Sequence, residues 1–404
     1  DKTNSWVRIA LFNLLLVAIL GAIMRYKIGF ALPWLDQKYL QEAHSHFAFA
    51  GWITHTLYFF FFLVFRSGLP RINEVAYRRL IMVNLFSAYG MLLSFPFQGY
   101  GPVSLAFSTL SVLTGYAFSW YALKDAGRLA ADHPGKNWIR AAIWFGLLST
   151  AGTMVLSWMM ASHHYNQNIY LGSIYFYLHF QYNGWFLFAC IGIFMDRIRV
   201  FNPDRKAIRL SFLLFSTAAI PAYFLSTLWA NLPAWLYVVV VAAATSQVIG
   251  WYVLVTVIRK NMPHLKTAFN RMVLYLFLIV ALALTLKLTL QLGSTIPGIS
   301  KLAFGFRPIV IAYLHLVLLL IISVFLLAFI YGTGLIRTNK MAKYALIAFT
   351  TGAVLNESVL AVQGIFSFSY TVVPMANETL FGIAVLLVSA AALLAFSQSR
   401  LVNK

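Results

Sequence analysis

Apolar stretches of membrane-spanning length recur along the whole chain and are separated by short polar segments. A transmembrane helix needs about 20 predominantly apolar residues. Almost no sequence remains outside such stretches for a soluble domain, so residues 1–404 are predicted to form a single transmembrane domain of an all-α integral membrane protein. The twelve predicted transmembrane helices cover residues 7–25, 43–65, 78–97, 102–123, 138–160, 170–194, 209–228, 233–258, 270–292, 308–333, 343–365 and 377–397.

The composition indicates the same class of protein. Hydrophobic residues make up 61% of the chain and charged residues 10%, which is far from the balance of a soluble globular protein. The only cysteine, Cys190, lies inside the sixth apolar stretch. A single cysteine excludes an intrachain disulfide and a cysteine-ligated iron–sulfur cluster.

The net charge of +20 is concentrated in alternate loops. This positive-inside distribution predicts that both termini are cytoplasmic, in a bacterial inner membrane. The first outer segment is the exception, because it carries Arg25, Lys27 and Lys38. The basic loops follow the second, fourth, sixth, eighth and tenth stretches and contain Arg66, Arg71, Arg78, Arg79, Lys124, Arg128, Lys136, Arg140, Arg197, Arg199, Arg205, Lys206, Arg209, Arg259, Lys260, Lys266, Arg271, Arg337, Lys340 and Lys343. Anionic membrane lipid is therefore the expected partner of these charges, and nucleic acid is not.

Histidines collect towards one end of the predicted helices. Imidazole is costly to bury in lipid and is the commonest ligand for metals and haem iron. Histidines at one membrane depth therefore indicate a cofactor site. Seven of the nine histidines belong to this group, namely His44, His46, His55, His163, His164, His179 and His315.

Helical geometry separates these histidines into different roles. At 100° per residue, His44 and His46 point to opposite sides of the second helix. His46 and His55 fit interhelical hydrogen bonds better than metal ligation. For His163–His164, in a polar loop, and for His179, metal ligation and a simple polar role both stay open.

Three ionisable residues in the outer half of the predicted bundle also need partners. We expect Lys287 and Glu357 to pair with each other, to contact a haem propionate, or to line a path for protons or water, because buried unpaired charges are expensive. Arg307 could bind a propionate in a forked geometry, or its side chain could extend to the lipid headgroups.

Short segments resemble subunit I of the haem-copper oxidases, and are most similar to C-type oxidases and bacterial nitric oxide reductases. Residues 31–36 and 42–52 resemble the helix one to two region, with His44 at the position of a low-spin haem ligand. Residues 311–316 resemble the helix-ten His-x-His motif, with His315 as the second low-spin ligand, and residues 178–184 resemble the segment of the first copper ligand, with His179 at that position. The resemblance implies that family's twelve-helix bundle and a haem b between His44 and His315.

The departures from the family pattern concern its binuclear metal centre. Tyr313 stands where a histidine should bind the high-spin haem, and no histidine occurs near Ser226 to Trp229. His163-His164-Tyr165 is similar to a nitric oxide reductase copper motif but lies one to two helices too early. A low-spin haem is therefore better supported than a binuclear centre. Copper or a second haem stays open, with His179, His163 and His164 as the candidate metal ligands.

These observations lead to one preferred function and two alternatives. The preferred function is respiratory electron transfer through a bis-histidine haem, from quinol or a periplasmic donor to another subunit of a respiratory complex. The first alternative is an oxidoreductase that reduces oxygen or nitric oxide at an unconventional metal site. The second is a transporter or a haem-handling assembly protein without redox turnover. The sequence does not decide whether the protein is an enzyme.

Overall fold

The computed structural model describes residues 2–230, 232–299 and 306–398, and every regular element in these ranges is helical. The short helix Met262–Ala268 lies in a loop. The other helices are α1 (Lys2–Gly29), α2 (Gln37–Gly68), α3 (Glu74–Gln98), α4 (Pro102–Arg128), α5 (Lys136–Ser162), α6 (167–198), α7 (Arg205–Ala219, continued by the 3₁₀ segment Pro221–Thr227), α8 (Ala234–Lys260), α9 (Arg271–Gly293), α10 (307–332), α11 (Lys340–Ser367) and α12 (Ala376–Phe396).

The chain has the helices of a multi-pass membrane protein. By length and composition, ten described helices are candidate membrane spans, and α7 with its 3₁₀ continuation makes up to eleven, with a bend of 48° between the two parts. α6 occupies the sixth predicted stretch, but His179, Gln181 and Asn183 in its middle lower its hydropathy, and it is not one of these candidates. The predicted number of twelve spans is therefore not confirmed.

The basic loops lie together at one end of the bundle. Loops after α4, α6 and α8 contact each other, and the segment after α10 bonds to the residues after α12. This gathering agrees with the charge pattern, because helices that alternate in direction return every second loop to the same side. The contacts are Arg205–Asp132 (2.6 Å), His133–Asp196 (3.0 Å), Phe201–His264 (ring centroids 5.2 Å) and Arg337–Gln398 (2.8 Å).

Three helices contain a π-helical segment next to a histidine. The segments are Ala48–Thr54 in α2, Phe180–Phe186 in α6 and Leu316–Ser323 in α10. His55 directly follows the first segment, while His179 and His315 directly precede the other two. π-Helical turns are rare and occur frequently at functional sites. The three segments therefore indicate that a functional site involves α2, α6 and α10.

Helix α2 lies at the centre of the bundle. In its most apolar window, 83% of the residues are buried, the highest share of any candidate span. Its π segment is joined to that of α10, because Trp52 donates its Nε1 hydrogen to Ser323 Oγ over 2.9 Å. The two helices that carry the predicted haem ligands are thus connected directly below those ligands.

Candidate functional site

His44 is held on α2 with one ring nitrogen bonded to the backbone of α1. The N-cap Asp36 accepts hydrogen bonds from the backbone at the start of α2, and His44 follows two turns later. His44 Nδ1 lies 3.1 Å from the carbonyl oxygen of Val17. A carbonyl oxygen only accepts, so Nδ1 carries the proton and Nε2 keeps its lone pair. Gly21 of α1 lies beside the ring, and a Cβ there would be in van der Waals contact with His44 Cε1 at 3.4 Å.

His315 shows the same arrangement on α10. It is the last α-helical residue before the π segment, and its Nδ1 lies 2.9 Å from the carbonyl oxygen of Ile311. Its Nε2 therefore also holds a lone pair. Within the described part of the chain, neither Nε2 has a hydrogen-bond partner, and both side chains are only half-buried. A histidine that ligates a metal typically donates its other ring nitrogen in this way.

His44 and His315 lie near each other, although the helix segments that carry them pack mainly against other helices. His44 and His315 are within electrostatic range of one another. The outer part of α2, Gln37–Phe47, packs on α1 and α3, whereas the outer part of α10, Arg307–His315, packs on α11. Two imidazoles with available Nε2 atoms are thus presented by helices that are not each other's main packing partners.

Arg25 is a site residue that the sequence analysis did not identify. It lies near the C-terminal end of α1, within electrostatic range of both His315 and Glu357. Glu357 also accepts a hydrogen bond of 3.0 Å from Asn356 Nδ2. The available signal was the exceptional basic charge of the first outer segment, to which Arg25 belongs. Arg307 begins α10, but its side chain lies outside the described residues.

Of the three environments expected for Lys287 and Glu357, a mutual ion pair is not formed in the described structure. Lys287 is 1% exposed on α9, and it lies within electrostatic range of His179 instead. Both α9 and α11 pack on α10. The two charges are therefore distributed to different neighbours, and Glu357 has Arg25 as its nearby opposite charge.

The three candidate metal ligands are not brought together. Both ring nitrogens of His179 are occupied, because Nε2 donates to the carbonyl of Ala219 (2.9 Å) and Nδ1 accepts from Asn183 Nδ2 (3.2 Å). His163 ends α5 with a φ of 54°, and His163 and His164 are both exposed. Across the described ranges, no group of three His, Cys, Asp or Glu side chains is placed to hold a metal ion.

His55 makes the expected interhelical hydrogen bond, whereas the partner of His46 lies in a loop. His46 Nε2 lies 3.0 Å from the hydroxyl of Tyr100 in the loop after α3, and His55 Nε2 donates to the carbonyl of Trp6 on α1 over 3.1 Å. Tyr313, at the position of the missing haem ligand, faces α6, with its ring 6.0 Å from that of Tyr182.

A cavity of about 460 Å³ lies on the side of α2 that carries His46. Helices α2 to α6 surround it, and Glu42, His46, Tyr100 and Tyr177 are among its lining residues. Burial and the nearby carboxylate of Glu42 raise the pKa of Tyr100 to about 12, so its hydroxyl stays protonated at neutral pH.

Comparison with known proteins adds no assignment, since no family model and no curated protein matches the chain. The chemistry of the site must therefore be taken from its side chains. Two imidazoles with free Nε2 lone pairs could both ligate a haem iron, and an arginine nearby could bind a carboxylate.

Proposed function

We infer that the protein binds a b-type haem through His44 and His315 and transfers electrons in the membrane. One observation carries this proposal: both imidazoles donate Nδ1–H to a backbone carbonyl, at 3.1 and 2.9 Å, and keep Nε2 without a partner among the described residues. A haem held by two histidines supplies reversible one-electron redox chemistry when bound.

Residues near His44 and His315 also suit a bound haem. The Nδ1 hydrogen bonds hold the ring orientations and make Nε2 more basic. Arg25 would bind a propionate through its forked guanidinium group, and Arg307 at the start of α10 is a second candidate for this role. Glu357, near Arg25, would keep that guanidinium in place.

The architecture supports a distant relationship to subunit I of the haem-copper oxidases. If α6 and the bent α7 both cross the membrane, the bundle has the twelve spans of that family. The proposal then includes a bacterial inner-membrane location, quinol or a periplasmic protein as the electron donor, and another respiratory subunit as the acceptor.

Electron transfer is preferred to reduction of oxygen or nitric oxide because of the donor atoms that the described residues offer. A reductase of this family needs further ligands for a second metal centre. Tyr313 replaces one of them, and His179 has both nitrogens engaged with Ala219 and Asn183. The donor set around α6 therefore fits a second metal less well than the His44–His315 pair fits one haem.

Reduced-minus-oxidised optical spectra of the purified protein test the proposal. We expect a six-coordinate low-spin haem that is lost in both His44→Ala and His315→Ala, because each variant removes one axial ligand. His55→Ala is the matched control, since His55 is a fully buried histidine on the same helix with a backbone hydrogen bond. Wild-type spectra from both ligand variants, or no haem in the wild-type protein, would refute the proposal.

A further inference from the structure

The cavity beside α2 is separate from the histidine pair. It is lined by Glu42 and His46, whereas His44 points to the opposite side of the same helix and lies against α1. From the outer end near Tyr100 and Tyr170 it extends inward to Tyr58 and Trp185. Its volume of about 460 Å³ is in the range of small-molecule sites. The proposed haem does not account for this cavity.

Glu42 provides a negative charge that forms no ion pair among the described residues, although Lys38 lies within electrostatic range. Its Oε2 atom is buried and has no hydrogen-bond partner, and no ion pair involves Glu42 among the described residues. Lys38 lies one turn earlier on α2, lines the cavity and is within electrostatic range of Glu42, but the described ion pairs do not include it. A carboxylate in such surroundings is stabilised when a cation binds beside it.

Tyrosine rings surround the same end of the cavity. Tyr100 is within electrostatic range of Glu42 and of Tyr170, and Tyr177 is within range of Tyr100. The faces of aromatic rings attract cations, and clusters of such rings recognise quaternary ammonium groups. The deeper part is more apolar, with Tyr58 stacked on Phe118 at a centroid distance of 3.5 Å.

We propose that this cavity binds an organic ammonium ion, with its charged nitrogen beside Glu42 and the tyrosines and its apolar substituents towards Trp185. A bare metal ion fits less well, because it prefers several oxygen, nitrogen or sulfur ligands. A neutral ligand would bring no positive charge to the Glu42 carboxylate and would leave its Oε2 atom with only the more distant Lys38. The binding site is a property of the cavity and does not depend on the bound haem.

Isothermal titration of the full-length protein in detergent with phenyltrimethylammonium tests this proposal, with tert-butylbenzene as the neutral compound of the same shape. We expect one cation per chain and at least tenfold weaker binding of the neutral compound. Glu42→Gln keeps the size of the side chain and removes its charge, so it should weaken cation binding at least tenfold. Tyr177→Leu, which removes one ring, should weaken it severalfold.

Asp36→Asn is the matched control for charge. It removes a negative charge at the same end of α2, and asparagine can keep the helix cap. Asp36 does not line the cavity, so binding should stay within twofold of the wild type. Equal binding of the cation and the neutral compound would overturn the proposal. Unchanged cation binding in folded Glu42→Gln, judged by its gel-filtration profile, would overturn it as well.

Discussion

The membrane histidines differ in which ring nitrogen the protein occupies. His44 and His315 use Nδ1 and leave Nε2 available, whereas His55 uses Nε2 and His179 uses both nitrogens. The proposal of His44 and His315 as a ligand pair comes from the resemblance of their segments to a known motif. Which ring nitrogen stays available could not be predicted from the sequence. It depends on nearby carbonyl groups, and the one that bonds to His44 belongs to Val17 on another helix.

Gly152 tests the close packing of α5 against α6. A Cβ atom at this position would lie 2.5 Å from the carbonyl oxygen of Ser173 and 2.9 Å from the amide nitrogen of Tyr177. Both are backbone atoms, so the helices would have to separate. We expect Gly152→Ala to lower the free energy of unfolding by about 1–3 kcal/mol. The loss of stability is measured as a lower unfolding temperature with a thiol-reactive dye. The dye reacts with Cys190, which is buried until the protein unfolds.

Gly382→Ala is the control for this substitution. Gly382 lies in α12, and a Cβ there would meet no heavy atom within 4 Å. Alanine favours the helix over glycine, so this variant should unfold at the same temperature as the wild type or slightly above it. Equal stability of the two variants would show that α5 and α6 are not packed as closely as described.

At the scale of helices, the sequence located the elements but not their irregularities. Stretch 209–228 was predicted as one span, yet the helix ends at Ala219 and continues as a 3₁₀ segment after a bend of 48°. Pro221 lacks a backbone donor and its ring disfavours a continuous α-helix at this point. The π segments could not be predicted, because nearly every position in them is apolar or buried and no helical period stands out.

The π segment of α10 leads to a prediction about deletions. A π turn holds one more residue than an α turn, because its hydrogen bonds join residues five apart instead of four. Deleting Leu319, inside Leu316–Ser323, can convert this segment to α-helix while both flanking parts keep their register. We expect the protein to remain folded and to keep its haem spectrum.

Deleting Leu326 is the matched comparison. Leu326 lies in the regular part Val324–Gly332 and is fully buried. Its removal rotates the residues on one side of the deletion by about 100° relative to the core. We therefore expect little folded protein, or protein with a much lower unfolding temperature. Yield after gel filtration and the unfolding temperature measure both deletions. If the two deletions are equally damaging, the π segment has no role in adjusting the register.

For the whole molecule, the gathered basic loops predict the orientation in the membrane. Tyr165 and Val200 are exposed, at 69% and 71%, and lie on opposite sides of the predicted topology. In a Cys190→Ala background, a membrane-impermeant thiol reagent added to intact cells should modify Tyr165→Cys. It should modify Val200→Cys only after lysis, because the basic loops face the cytoplasm.

The lysed sample is the control for accessibility, since both cysteines should react there. Modification of Val200→Cys but not of Tyr165→Cys in intact cells would reverse the orientation and contradict the positive-inside prediction. Such a reversal would not change the proposal for His44 and His315, but it would put the opening of the Glu42 cavity on the cytoplasmic side.

The sequence by itself determined that the chain is an all-helical, multi-pass membrane protein with its basic loops on one side. Length, apolarity and loop charge act locally and additively, so they can be read along the chain. Only the tertiary structure decided that Arg25 is near His315, that Lys287 and Glu357 have separate neighbours, and that a cavity opens beside Glu42. These relations depend on how helices far apart in sequence pack, and hydropathy carries no information about that packing.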